Sequence, residues 1–155
     1  MATRRQAREW AFQLLFQIDV NPGSATARAL KHFWKEHTAD PKARMFAELL
    51  VYGVVEHRED IDQRITEFTL NWDMKRMGAV ERNIIRMAMF ELIHCPDVPA
   101  AVVINEAVDL AKYFGSTESG RFVNGILDRA RKELGQKKGD AGTPGPAEKA
   151  PPAKS

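Results

Sequence analysis

A single cysteine, no apolar run of membrane-spanning length and almost no net charge set the first limits on this 155-residue chain. Cys95 has no second thiol to pair with, so no internal disulfide is expected and the chain fits a reducing cytoplasm. No stretch reaches about 18 consecutive apolar residues, so no transmembrane helix is expected. The opening Met-Ala-Thr-Arg-Arg runs into an amphipathic pattern instead of the apolar core of a secretory leader. Enzymatic signatures are missing as well: there is no Gly-rich phosphate loop, no Gly-x-Ser-x-Gly and no His-Glu-x-x-His. His32, His37, His57 and His94 share no metal-ligand spacing with one another or with Cys95, so neither a metal nor another cofactor is expected. Cys95, beside Pro96, reads as an inert loop thiol. No segment alternates with period two and the β-branched residues sit inside helical patterns, so no strand is expected.

The net charge of +2 is carried by the tail. Residues 135–155 hold four lysines against Asp140 and Glu148, which leaves residues 1–134 neutral in sum. A neutral body argues against binding nucleic acid by bulk electrostatics, but it permits a local basic site. The same 21 residues contain four glycines, four prolines and no large apolar side chain. They cannot bury enough surface to offset the entropy of ordering, so disorder is expected from Gly135 onward. Residues 1–134 are expected to form one helical domain, with subdomains at about 1–72 and 78–134.

What is present is helical periodicity. Residues 80–93 are apolar on every side at 100° per residue, as expected of a helix buried on several faces and surrounded by the others. The first helix spans 3–19, with Thr3 and Gln6 as a capping box and Ala7, Trp10, Ala11, Leu14, Leu15 and Ile18 as its core stripe. Asn21-Pro22-Gly23 stops it. A second helix is expected at 24–37 with Ser24 as N-cap. Asp40-Pro41 then opens a long one at 41–70, bent near His57-Arg58-Glu59. The segment from Trp72 to Gly78 connects to the central helix, expected at 79–94. Further helices follow at 100–114, ended by Gly115, and at about 119–134, started by Ser116 or Ser119.

Three constellations stand out. Arg4, Arg5 and Arg8 fall in the first two turns of the first helix, where cations oppose the macrodipole by a few tenths of a kcal/mol (~0.3). Arginine matches phosphate geometry, so this unfavourable placement points to a binding role; the alternative is a solvated helix flank. On the last helix Phe122 lies about 100° from the core stripe, next to Arg121, Asn124, Gly125 and Arg129. It reads either as a stacking platform for an unpaired base or as a packing residue that Gly125 accommodates. Glu91 and Glu106 fall on or beside inner faces, and a buried acid needs a partner. Arg82 and Arg86 are the expected ones, giving a structural ion pair and no catalytic group.

The opening Arg4-Arg5-Gln6-Ala7-Arg8-Glu9-x-Ala11-x-Gln13-x-Leu15-Phe16-x-x-Asp19 resembles the start of the NusB transcription antitermination factors. Ile85-Arg86-Met87-Ala88-Met89-Phe90-Glu91-Leu92, Val98-Pro99, Ile104-Asn105-Glu106-Ala107-Val108 with Leu110-Ala111-Lys112 and Phe114-Gly115, and Arg121-Phe122-Val123-Asn124-Gly125-Ile126-Leu127-Asp128 follow in the family's order. The likeness covers about residues 3–131; position 16 is Phe where Tyr is common. It implies an all-α fold of two small helical bundles packed around a central buried helix, and a non-enzymatic role. It implies binding of boxA RNA together with the small-subunit ribosomal protein that acts as NusE. RNA polymerase, NusA and NusG would be the wider partners, and ribosomal RNA operons the targets. The arginine-rich segment maps to Arg4, Arg5 and Arg8, and the Phe-Val-Asn-Gly segment to Phe122, Asn124 and Gly125. Two rival readings are a helical protein-interaction adapter with no RNA site, and a stand-alone relative of the N-terminal domain of ribosomal RNA cytosine methyltransferases.

Overall fold

A computed structural model describes residues 3–23, 25–69 and 73–141, with side chains described up to 135. The described residues are helical throughout: α1 (Arg4–Val20), α2 (Thr26–Glu36), α3 (Pro41–Glu56), α4 (Arg58–Phe68), α5 (Ala79–His94), α6 (Ala100–Phe114) and α7 (Thr117–Ala141). A single 3-10 turn, Met74–Arg76, lies within the connection before α5. No strand occurs among the described residues.

Helix α5 is the axis. Every residue from Asn83 to Glu91 is buried, and α1, α3, α4, α6 and α7 all pack on it. Buried side chains from all seven helices join one apolar core. The α3 backbone approaches α5 closely at Gly53. A Cβ on Gly53 would sit inside the ring of Phe90, so this glycine is what lets the α3 backbone lie against the α5 aromatic.

The local signals explain the ends. Thr3 accepts a hydrogen bond from the Gln6 backbone N–H at 3.2 Å. Gln6 does not complete the capping box: its side-chain amide donates to Glu9 at 3.2 Å instead. Asp40 caps α3 by accepting from the Ala43 N–H at 3.4 Å, with Pro41 at the first helical position. The expected bend near His57 is a break into two helices. His57, at φ −105° and ψ 16°, ends α3 and starts α4, and its ring stacks on His94 of α5 at 4.3 Å between centroids. Between the two candidates for the start of α7, Ser116 is the cap, accepting from the Ser119 N–H at 3.1 Å. The Ser119 hydroxyl instead donates to Glu81 of α5.

At two further places the structure differs from expectation. Helix α2 starts at Thr26 with Ala25 before it, and the expected cap Ser24 lies outside the described residues, as does Trp72. Helix α7 continues to Ala141, seven residues past its expected end. Gly135 and Gly139 each cost only about 1 kcal/mol in a helix, and Gln136, Lys137 and Lys138 between them are good helix formers. The expected tail beyond 141 lies outside the described residues.

Candidate nucleic-acid interface

The three arginines of α1 have three different environments. Arg8 is interior, with its side chain 4% exposed. Its guanidinium makes a two-pronged pair with Glu91, from Nε at 2.9 Å and Nη2 at 2.8 Å, and reaches Glu106 at 4.0 Å. Burial alone would depress the Arg8 pKa; the Glu91 hydrogen bonds and charge outweigh it and raise it. Arg5 is at the surface, 53% exposed, and grips α6. Its Nε and Nη2 donate to the two oxygens of Glu106 at 3.0 Å each, and Nη2 also donates to Asp109 at 2.7 Å. These acids hold the Arg5 pKa well above its ordinary value. Arg4 meets no carboxylate among the described residues; its guanidinium lies over the Phe46 ring at 4.5 Å.

These pairs correct two expectations. Arg8 does not stand on a phosphate-facing flank, because its side of α1 also carries the buried Phe12 and Leu15. An arginine on that stripe has to find an acid, and this was the signal in the sequence for its burial. Glu91 and Glu106 are paired, but with Arg8 and Arg5 instead of Arg82 and Arg86. At 100° per residue, Glu91 lies about 180° round the helix from Arg82 and about 140° from Arg86. The latter two look the other way, toward the C-terminal end of α1. Arg82 donates to Asp19 at 2.6 and 2.9 Å, Asn83 adds a bond at 3.0 Å, and Arg58 one at 3.1 Å. Arg86 makes a two-pronged pair with Asp62 at 2.8 and 2.9 Å and lies 3.6 Å from Asp19. Burial would push the Asp19 carboxyl up; the Arg82 and Asn83 hydrogen bonds override it and hold it below the usual carboxylate range.

Helix α6 stands between α1 and α7. Beyond the Arg5 grip it forms a cleft of about 490 Å³ with Lys112 and the 78% exposed Tyr113 on its rim. The Lys112 stem lies against Gly120, so α6 hands the surface on to the first turns of α7. There Val123, Ile126, Leu127 and Ala130 enter the core, while Arg121, Asn124, Gly125 and Arg129 face outward. Phe122 is half-buried on the edge of the core. A Cβ on Gly125 would meet nothing within 4 Å. Among the described residues, packing therefore gives no reason for a glycine in mid-helix, while Phe122 itself packs against the core.

No group of three or more His, Cys, Asp or Glu able to hold a metal occurs among the described residues. The Cys95 thiol is buried and pushed up by that burial and by nearby Glu91 and Asp97, the opposite of an activated nucleophile. No helix among the described residues is long and apolar enough to cross a membrane.

Residues 5–132 match the sequence model of the NusB family. The chain is 43% identical to the transcription antitermination protein NusB of Sorangium cellulosum, over 88% of this chain and 96% of that protein. The fold superposes on NusB of T. maritima with a TM-score of 0.80 at 37% identity, covering 85% of this chain and 92% of that one. It also superposes on a crystal structure of the antitermination factors NusB and NusE in complex with double-stranded RNA. That TM-score is 0.78 at 32% identity, over 84% and 96% of the two chains.

Proposed function

The chain belongs to the NusB family, and on that premise we propose that it is a non-enzymatic transcription antitermination factor. It binds boxA RNA jointly with the small-subunit ribosomal protein that acts as NusE, within the RNA polymerase complex that also carries NusA and NusG, and it acts on ribosomal RNA operons. The observation that carries the RNA reading is the outer face of α7. Gly125 costs its helix about 1 kcal/mol against alanine with no neighbour among the described residues to require it. It lies beside Asn124 and one turn from Arg121 and the edge of Phe122. Close approach of an RNA backbone would explain a bare helix surface there. Phe122 stacks on a base, and Asn124 reads or supports it. The likeness to the NusB–NusE complex with RNA supports the same partners for this chain.

The arginines contribute less than their number suggests. With Arg8 interior, only Arg4 and Arg5 remain for phosphates, and Arg5 is shared with two acids. Counterion release from these two contacts of α1 adds only about −1.4 to the salt slope on a single strand. This chain alone therefore binds RNA weakly, and the partner protein supplies the remaining surface. Arg8 acts by holding α1 against α5, so charge reversal there tests folding and not RNA contact.

The test is RNA affinity with the ribosomal partner present, measured across salt concentrations. Phe122→Ala is expected to weaken boxA binding by about 1–3 kcal/mol with the salt slope unchanged. Arg5→Glu is expected to weaken all single strands and flatten the slope by about 0.7. Wild-type affinity in both variants, with the fold intact, would leave the adapter reading in its place.

A further inference from the structure

The N-termini of α1 and α3 meet at a groove of about 520 Å³, which shares Arg4 and Phe46 with the interface described above and adds the start of α3. Its walls carry Arg4 and Lys42, and its floor is apolar: the edge of Phe46, with Met45 71% and Leu49 50% exposed. Met45 and Leu49 are one turn apart on α3 and show large apolar surface that no described residue covers. The acid of the groove, Asp40, has its carboxylate turned to the Ala43 N–H as the α3 cap. Both cations lack a carboxylate partner among the described residues. Arg4 is nonetheless held in place, because its guanidinium lies over the Phe46 ring. A guanidinium fixed on an aromatic face loses little freedom on meeting a phosphate.

We propose that this groove is a second nucleotide subsite, which takes a base and its phosphate from the same single-stranded RNA that crosses α7. The proposal rests on the RNA-binding reading of the previous subsection and extends its path round the start of α1. Charge selects the occupant: two free cations flank an apolar floor, which suits a flat base with an attached anion. The volume lies within the range of small-ligand sites, about 300–1,000 Å³. Arg4 and Lys42 hold the phosphate, and Met45, Leu49 and the Phe46 edge cover the base.

The experiment uses the full chain with its ribosomal partner and a boxA-containing single-stranded RNA of about 15 nucleotides, long enough to span both faces of the molecule. Lys42→Glu and Leu49→Ser change exposed side chains and should leave the melting temperature unaltered. Lys42→Glu is expected to lower RNA affinity about tenfold and flatten the salt slope by about 0.7. Leu49→Ser is expected to lower affinity about fivefold with no change of slope. Ultraviolet crosslinking of 4-thiouridine-substituted RNA should label the peptide containing Met45 to Leu49 as well as that containing Phe122. Wild-type affinity in both groove variants, with binding lost in Phe122→Ala, overturns the subsite and leaves the α7 reading standing. Wild-type affinity in all three overturns both. Groove variants that keep RNA affinity but lose the ribosomal partner, or that lose self-association, make the groove a protein face and overturn the subsite.

Discussion

The two ends of α1 are electrostatic mirror images. At the N-terminal end α1 supplies cations, Arg5 and Arg8, to acids on α5 and α6. At the C-terminal end it supplies an acid, Asp19, to cations on α4 and α5. Both placements oppose the helix macrodipole, so neither exists to stabilise α1 itself. Each instead fixes α1 against its neighbours, and together they set its position along α5. The difference lies in what is left over. At the C-terminal end Arg58, Arg82 and Arg86 are all engaged. At the N-terminal end Arg4 remains, over the Phe46 ring and in one groove with Lys42. The paired charges are the frame, and the surplus is where a polyanion gains most.

The largest effect should come from the buried pair. Arg8→Glu or Glu91→Ala leaves an uncompensated charge in the core and is expected to cost at least about 3–5 kcal/mol in chemical denaturation. The double replacement Arg8→Met with Glu91→Leu should recover most of that loss, because paired desolvation disappears with the charges. A single-variant loss below about 1 kcal/mol would show that the N-terminal cluster is not part of the frame. Asp19→Asn probes the opposite end through pH. The folded Asp19 carboxyl lies below its unfolded value near 3.8, so its contribution is complete above that pH and is lost as pH falls through the folded value. The variant should be less stable at neutral pH and show a shallower acid limb below about pH 4; an unchanged acid limb would separate Asp19 from the network.

Gly53→Ala is expected to cost about 1–3 kcal/mol, since the new methyl group needs the space of the Phe90 ring. Unaltered thermal stability would mean that α3 moves off α5 freely. The smallest effect on stability belongs to Arg4→Ala, within about 0.5 kcal/mol as for an exposed residue. RNA affinity should nonetheless fall, with the salt slope flattened by about 0.7. That contrast with Arg8, four residues on, is the comparison at its sharpest.

The pattern of apolar residues made the helices legible, because a period of 3.6 survives without knowledge of neighbours. The all-round burial of α5 follows from it and the Asp40-Pro41 start from capping chemistry, whereas the break at His57 interrupts a period that reads as one bent helix. Pairing did not, since Arg8 and Glu91 are 83 residues apart and nothing local joins them. The width of the apolar arc on α1, running through Phe12 and Leu15, marked the Arg8 side as interior, and that clue concerns one residue at a time. The expected pairing of Glu91 and Glu106 with Arg82 and Arg86 rests on nearness along the chain, and helical phase directs these arginines away from Glu91. Gly53 was invisible for the same reason: its constraint is the ring of a residue on another helix. The surface role of Arg4 shows only once the other two arginines are accounted for.

Gly125→Ala tests most directly whether the outer face of α7 meets RNA, because it moves two quantities in opposite directions. The added methyl group meets nothing within 4 Å among the described residues. Unfolding free energy should therefore rise by up to about 1 kcal/mol through helix propensity. Affinity for boxA RNA, with the ribosomal partner present, should fall in the same protein. A stabilised variant that binds RNA as tightly as the wild type would contradict close approach of RNA at this helix.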